Sequence, residues 1–115
     1  MQIKIVDKQI TLAAVKKLAE ESYGDMVKAV ADINLGILAI GGEFHADAEQ
    51  LLLAQGSRQA DLWGFNIYPD NPVESILVYD SLINIRPQNN NRSTEIQLPE
   101  IKKRILEIFQ KKVIL

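Results

Sequence analysis

The chain has no cysteine and a single histidine, and only 6% of its 115 residues are aromatic. Without cysteine there is no disulfide framework, no thiolate metal site and no cysteine nucleophile, a composition that fits a reducing compartment. Apolar runs stay well short of the roughly 18 residues that a membrane span requires. The opening MQIKIVDKQI lacks the cationic segment, apolar stretch and small-residue cleavage site of a secretory leader. The expected location is therefore the cytoplasm, with no membrane partner. What is present, 47% hydrophobic and 24% charged residues, suits one domain spanning 1–115 that buries a core of its own.

The formal charge of −2 is unevenly spread. Residues 1–85 carry six basic and twelve acidic side chains, whereas residues 86–115 carry seven basic and three acidic ones. Such a basic C-terminal quarter can meet an anionic partner, including nucleic acid through its helix, or can be the solvated face of that helix.

Hydrophobic periodicity orders the elements. Gln2 to Val6 alternates as a strand does. Leu12, Val15, Leu18 and Ala19 share one helical face, with Thr11 as N-cap and Gly24 as C-cap. Met26–Ile33 and Leu35–Ile40 read as a hairpin turning at Asp32–Gly36. A second helix begins between Phe44 and Ala46 and stops at Gly56. Asp61–Pro69 reads as a strand holding most of the aromatic weight, with Trp63 and Phe65 on one face. Ser75–Arg86 is long, apolar and β-prone, and residues 88–97 read as an exposed loop. A last helix opens at Leu98-Pro99-Glu100, with proline in its favoured first position. The order β-α-β-β-α-β-β-α predicts an α+β domain, in which a mostly antiparallel sheet of about five strands is covered by helices on one face. A sheet covered on one side leaves the other to protect, so a homo-oligomer is expected, with Ile76–Tyr79 and Val113–Leu115 as contacts.

Two polar sets concentrate the reactive residue types. The first is Gly41-Gly42-Glu43-Phe44-His45-Ala46-Asp47-Ala48-Glu49, followed by Ser57 and Asp61. His45 is the one side chain whose unperturbed pKa lies near neutrality, and the glycine pair precedes a helix N-terminus, which favours an anion. Glu43, His45 and Asp47 are candidates for acid–base work. His45, Asp47 and Asp61 are candidate ligands of a divalent metal cofactor at an open site. If the helix starts near Phe44, His45 and Glu49 share a face and Asp47 points elsewhere. If it starts at Ala46, His45 caps it. The second set is Asn84 and Arg86, which alternation along a strand would project together, joined by Arg92. With Gly41, Gly42, Ser57 and Asp61 these residues form a candidate binding set for a small anionic ligand, held through fork-shaped arginine contacts.

Other signatures are missing. There is no P-loop, dinucleotide fingerprint, nucleophile elbow or HExxH. Zinc-dependent isopeptidases place a second histidine where this chain has Asp47, and space their serine and aspartate more closely than Ser57 and Asp61, so that activity does not carry over. Aromatic stacking of nucleic acid along Trp63–Tyr68 would need neighbouring basic residues, of which Arg58 is the sole example.

The phrases Gly41-Gly42-Glu43-Phe44-His45-Ala46-Asp47-Ala48-Glu49, Gly56-Ser57-Arg58-Gln59 with Asp61-Leu62-Trp63-Gly64, and Ser81-Leu82-Ile83-Asn84-Ile85-Arg86-Pro87 with Asn91-Arg92-Ser93 resemble a family of short bacterial and archaeal proteins catalogued as a domain of unknown function. The resemblance covers nearly the whole chain and implies no activity. The expected function is a small ligand-binding or interaction module. The alternative is a small metal-dependent or acid–base hydrolase built on His45, with Arg86 or Arg92 neutralising developing charge.

Overall fold

A computed structural model describes residues 1–115. Strand β1 (Ile3–Val6) and a two-residue strand β2 (Ile10–Thr11) lead into helix α1 (Leu12–Glu21). Thr11 caps α1 by accepting from the Ala14 N–H at 3.1 Å, and Gly24, at φ 91°, donates back to the Ala19 carbonyl. Strands β3 (Val27–Asp32) and β4 (Ile37–Gly41) form the predicted hairpin. Its turn is built by Asp32, whose buried carboxylate accepts the Asn34 and Leu35 N–H groups, the local bonding that makes aspartate a turn residue.

Helix α2 (His45–Ala54) follows, then β5 (Leu62–Ile67), β6 (Leu77–Val78), helix α3 (Pro99–Lys112) and β7 (Val113–Ile114). The main sheet runs β1-β4-β3-β5-β6, antiparallel throughout. The short β2 and β7 pair parallel in a separate ribbon that fastens the chain end.

Strand periodicity sorts the side chains. Val27, Ala29, Ala31, Leu38, Ile40, Trp63, Phe65 and Ile67 face one side, packed against Val15, Leu18 and Ala19 of α1 and Ile105, Ile108 and Phe109 of α3. The intervening residues Val30, Ala39 and Leu62 meet Ala48 and Leu52 of α2 in a second cluster. Helices therefore cover both faces, not one. The reason is visible in β3, β4 and β5, which are buried along nearly their whole length and so need cover on both sides. The open face from which an oligomer was expected is occupied by α2. Ile76 and Leu77 belong to the chain's own core, and Val113 packs against it.

Ser75–Arg86 is not one strand. Only Leu77 and Val78 pair with β5, after which the chain leaves the sheet, pairs Asp80 with Glu95, and turns through a 3-10 segment at Leu82–Asn84. Residues 88–97 are not uniformly exposed either, since Asn91 and Ile96 are fully buried.

Candidate functional site

The side chains of the second polar set close the edge of the sheet. Next to Gly64, β5 has no strand partner on its outer side, and the Asn84 carboxamide takes that place. Its Oδ1 accepts the Gly64 N–H at 2.8 Å and its Nδ2 donates to the Gly64 carbonyl at 2.9 Å, the donor and acceptor pair that a neighbouring strand residue would have offered. Arg86 donates from Nη2 to the Leu62 carbonyl further along the same edge. Asn91 secures the turn from behind, donating to the carbonyls of Asn84, Ser93 and Glu95 and accepting from Gln97. Gly64 is glycine because a Cβ there would lie 2.6 Å from the Ser81 Cβ.

Arg86 also lies across the Trp63 ring, 4.8 Å from its centre, and reaches Glu49 of α2 at 3.7 Å. All three residues are buried, and Arg86 Nη1, Glu49 Oε2 and Trp63 Nε1 have no hydrogen-bond partner. Burial holds the guanidinium below its ordinary pKa, with Glu49 opposing that shift. Asn84 and Arg86 are thus drawn into the β5 edge, while Arg92 stays exposed on the loop beyond.

In the first polar set α2 begins at His45, with Phe44 as N-cap. The frame in which His45 and Glu49 share the inward face therefore holds, and Asp47 is exposed, its Oδ2 accepting the Phe44 N–H at 3.2 Å. Glu43 is exposed as well, and its carbonyl accepts from the Tyr23 hydroxyl. At Gly41 a Cβ would stand 2.0 Å from the Gln2 carbonyl, so Gly41, at φ 118°, lets the end of β4 pass close against the start of β1.

Ser57 donates to Asp32 Oδ2 at 2.7 Å. Asp61 lies near Arg58, and its carbonyl accepts the Ile33 N–H. Both belong to the hairpin end of β5. From Asp61 to Asn66, where His45 sits, is about 16 Å at the usual strand rise. His45, Asp47 and Asp61 are not brought together, and no group of three histidine, aspartate or glutamate side chains is placed to hold a metal ion.

The structure assembles a different set around His45. A cleft of about 530 Å³ opens between the first turn of α2 and the Asp80–Ile83 segment, lined by Met26, Lys28, Phe44, His45, Ala46, Asn66, Asp80, Ser81, Leu82, Ile83 and Thr94. His45 Nε2 lies 2.8 Å from the Phe65 carbonyl. A carbonyl only accepts, so Nε2 carries the proton. The ring is 7% exposed, and burial lowers its pKa from the ordinary 6.5. The bond to Phe65, the neighbouring Asn66 amide and the Asp80 charge oppose that shift, while the Lys28 charge adds to it. The imidazole is neutral at pH 7, and its Nδ1 keeps a lone pair.

Asn66 donates from Nδ2 to the Asp80 carbonyl at 3.2 Å, which fixes the orientation of its amide. Its Oδ1 is sealed from solvent with no donor. Lys28 places its ammonium 5.2 Å from the Tyr23 ring centre and 5.5 Å from that of Phe44. No motif unites Lys28, Asn66 and Asp80, because no two of them are close in sequence. Their signal is subtler: Lys28 is the one basic residue in the strand VKAVAD and Asn66 the one polar side chain in LWGFNI, and β3–β5 pairing sets them opposite each other.

Comparison with family models matches residues 4–112 to a family described as Protein of unknown function (DUF5674). The chain belongs to this family. Comparison with curated proteins and with solved structures finds no match. Nearly the whole fold, including the cleft residues from Met26 to Thr94, lies within the matched span.

Proposed function

We propose that this chain is a small-molecule-binding module whose site is the cleft between α2 and the Asp80–Ile83 segment. The observation that carries this reading is the cleft itself, about 530 Å³, on which Lys28, His45, Asn66 and Asp80 converge from separate elements. The His45 imidazole among them is neutral. Phe44 and Leu82, 57% and 78% exposed, supply apolar surface at the cleft, the combination of apolar lining and few convergent polar groups that typifies small-ligand sites.

The hydrolase alternative draws less support, because Glu43 and Asp47 lie outside the cleft that holds His45. Binding to nucleic acid through α3 is also less supported. Lys102 faces Glu95, Arg104 donates to the Ile33 carbonyl and Lys112 to that of Asp7, so much of the basic quarter is engaged within the chain.

A fragment library screened by amide and side-chain NMR tests the proposal. Hits are expected to perturb Lys28, His45, Asn66 and Asp80 together, and Lys28→Met or Asp80→Asn to weaken them by about tenfold, the loss of one polar contact. Saturable hits confined to other surfaces, or no hits at all, would reject the site.

A further inference from the structure

The polar groups of the cleft differ in kind, and the difference describes a ligand. Two are acceptors: His45 Nδ1, whose partner nitrogen Nε2 holds the ring proton against the Phe65 carbonyl, and the Asp80 carboxylate. One is a cation. Lys28 has aromatic rings on its ammonium and no carboxylate among the ion pairs of the chain. The N–H groups of His45 and Ala46, in the first turn of a ten-residue helix, lie on the same wall and have no acceptor one turn back.

Sheet register orders these groups. Lys28 stands opposite Asn66, and Asn66 opposite Val78, two residues before Asp80. Cation and amide therefore stand side by side on adjacent strands, about 5 Å apart at the strand spacing, and the carboxylate lies on the segment that leaves the sheet after Val78. The cleft has a negative side at Asp80 and a positive side at Lys28 and the α2 N-terminus.

We propose that the cleft binds a small amino carboxylate, with its ammonium between Asp80 and His45 Nδ1, and its carboxylate at Lys28 and the first turn of α2. This rests on the small-molecule reading above. Each charge of such a ligand meets its opposite in a partly desolvated site, where charge-assisted hydrogen bonds are strongest, and Met26, Phe44 and Leu82 offer apolar contact to the carbons between. A divalent cation would also satisfy the acceptors. It would do so beside an uncompensated ammonium whose charge is felt at His45 more strongly than that of Asp80, whereas an amino carboxylate brings its own counter-charge to Lys28.

The test is NMR titration of the full chain with leucine, 4-aminobutanoate and 6-aminohexanoate, each paired with analogues lacking the amine or the carboxylate, and with Mg²⁺, Mn²⁺ as a relaxation probe, and Zn²⁺. At least one amino carboxylate should shift the Lys28, His45, Asn66 and Asp80 signals saturably and bind about tenfold or more tightly than either analogue, the expectation for losing one charged hydrogen-bonded contact. Asp80→Asn should abolish the preference for the amine and Lys28→Met that for the carboxylate. Equal binding of the analogues overturns the assignment, as does a metal response at these residues that Asp80→Asn removes. If library fragments occupy the cleft while no amino carboxylate does, this inference fails and the small-molecule reading stands. If nothing occupies it, both fail.

Discussion

His45 shows how much a single residue depends on what surrounds it. As the one histidine it is conspicuous in the sequence, and its place near the start of a helix is legible there. Its partners are not. Sequence neighbours Glu43 and Asp47 turn outward because the first turn of α2 presents positions 45 and 49 to the sheet, and the partners become Phe65, Asn66, Lys28 and Asp80. The electrostatics yield a prediction. With its pKa lowered in the folded state, His45 remains neutral there, while the unfolded chain takes up a proton below its ordinary pKa of about 6.5. The unfolded state then holds more protons, so stability is fully present above that pH and falls as pH drops through it toward the folded pKa, by at most about 1.4 kcal/mol per pH unit. Urea unfolding of the parent at pH 7.0 and 5.5 should show this loss, and His45→Gln should reduce the difference. An undiminished pH dependence in that variant would assign it to other groups.

At the scale of elements, the instructive segment is Ser81–Arg86. Its apolar, β-prone residues look like a continued strand, yet β6 stops at Val78 and the edge of β5 is closed by side chains. Period-two reasoning expects Asn84 and Arg86 to project together from a strand, whereas both reach the edge of β5 from a 3-10 turn and the residues after it. It could not reveal that their target is the backbone of Leu62 and Gly64, because an asparagine able to bind a ligand is equally able to imitate a strand. Asn84→Leu would strip partners from the Gly64 N–H and carbonyl and from the Thr94 carbonyl. The expected cost is about 2–4 kcal/mol, with the Gly64 amide losing its protection against hydrogen exchange. Gly64→Ala would force a methyl against Ser81 and cost about 1–3 kcal/mol by overpacking. Unchanged denaturation midpoints in both variants would refute this account of the edge.

Across the whole molecule, the acidic body and the basic C-terminal quarter meet at one buried pair, Glu49 with Arg86. The near-neutral total of −2 is thus neither an even scatter nor a ligand site of paired charges, since Arg86 lies behind the cleft against Leu62 and Trp63. This pair joins α2 on one sheet face to the loop that closes the sheet edge. Removing one partner leaves a buried charge alone, so Arg86→Met and Glu49→Leu should each destabilise by about 3 kcal/mol. The double variant should recover much of that loss, as apolar replacements of buried pairs do. Additive losses in a double-mutant cycle would show the two residues to be independent.

The sequence by itself determined the α+β class, the β3–β4 hairpin, the three helices with Thr11, Gly24 and Pro99 at their ends, and the sorting of β5 into two faces. Those features follow from periodicity and local backbone chemistry, which act over a few residues. Only the tertiary structure decided that helices cover both faces, that Asn84 and Arg86 serve the sheet edge, and that His45 shares a cleft with Lys28, Asn66 and Asp80. Each of these depends on strand register, which places residues tens of positions apart within a few ångströms and leaves no mark on their spacing along the chain.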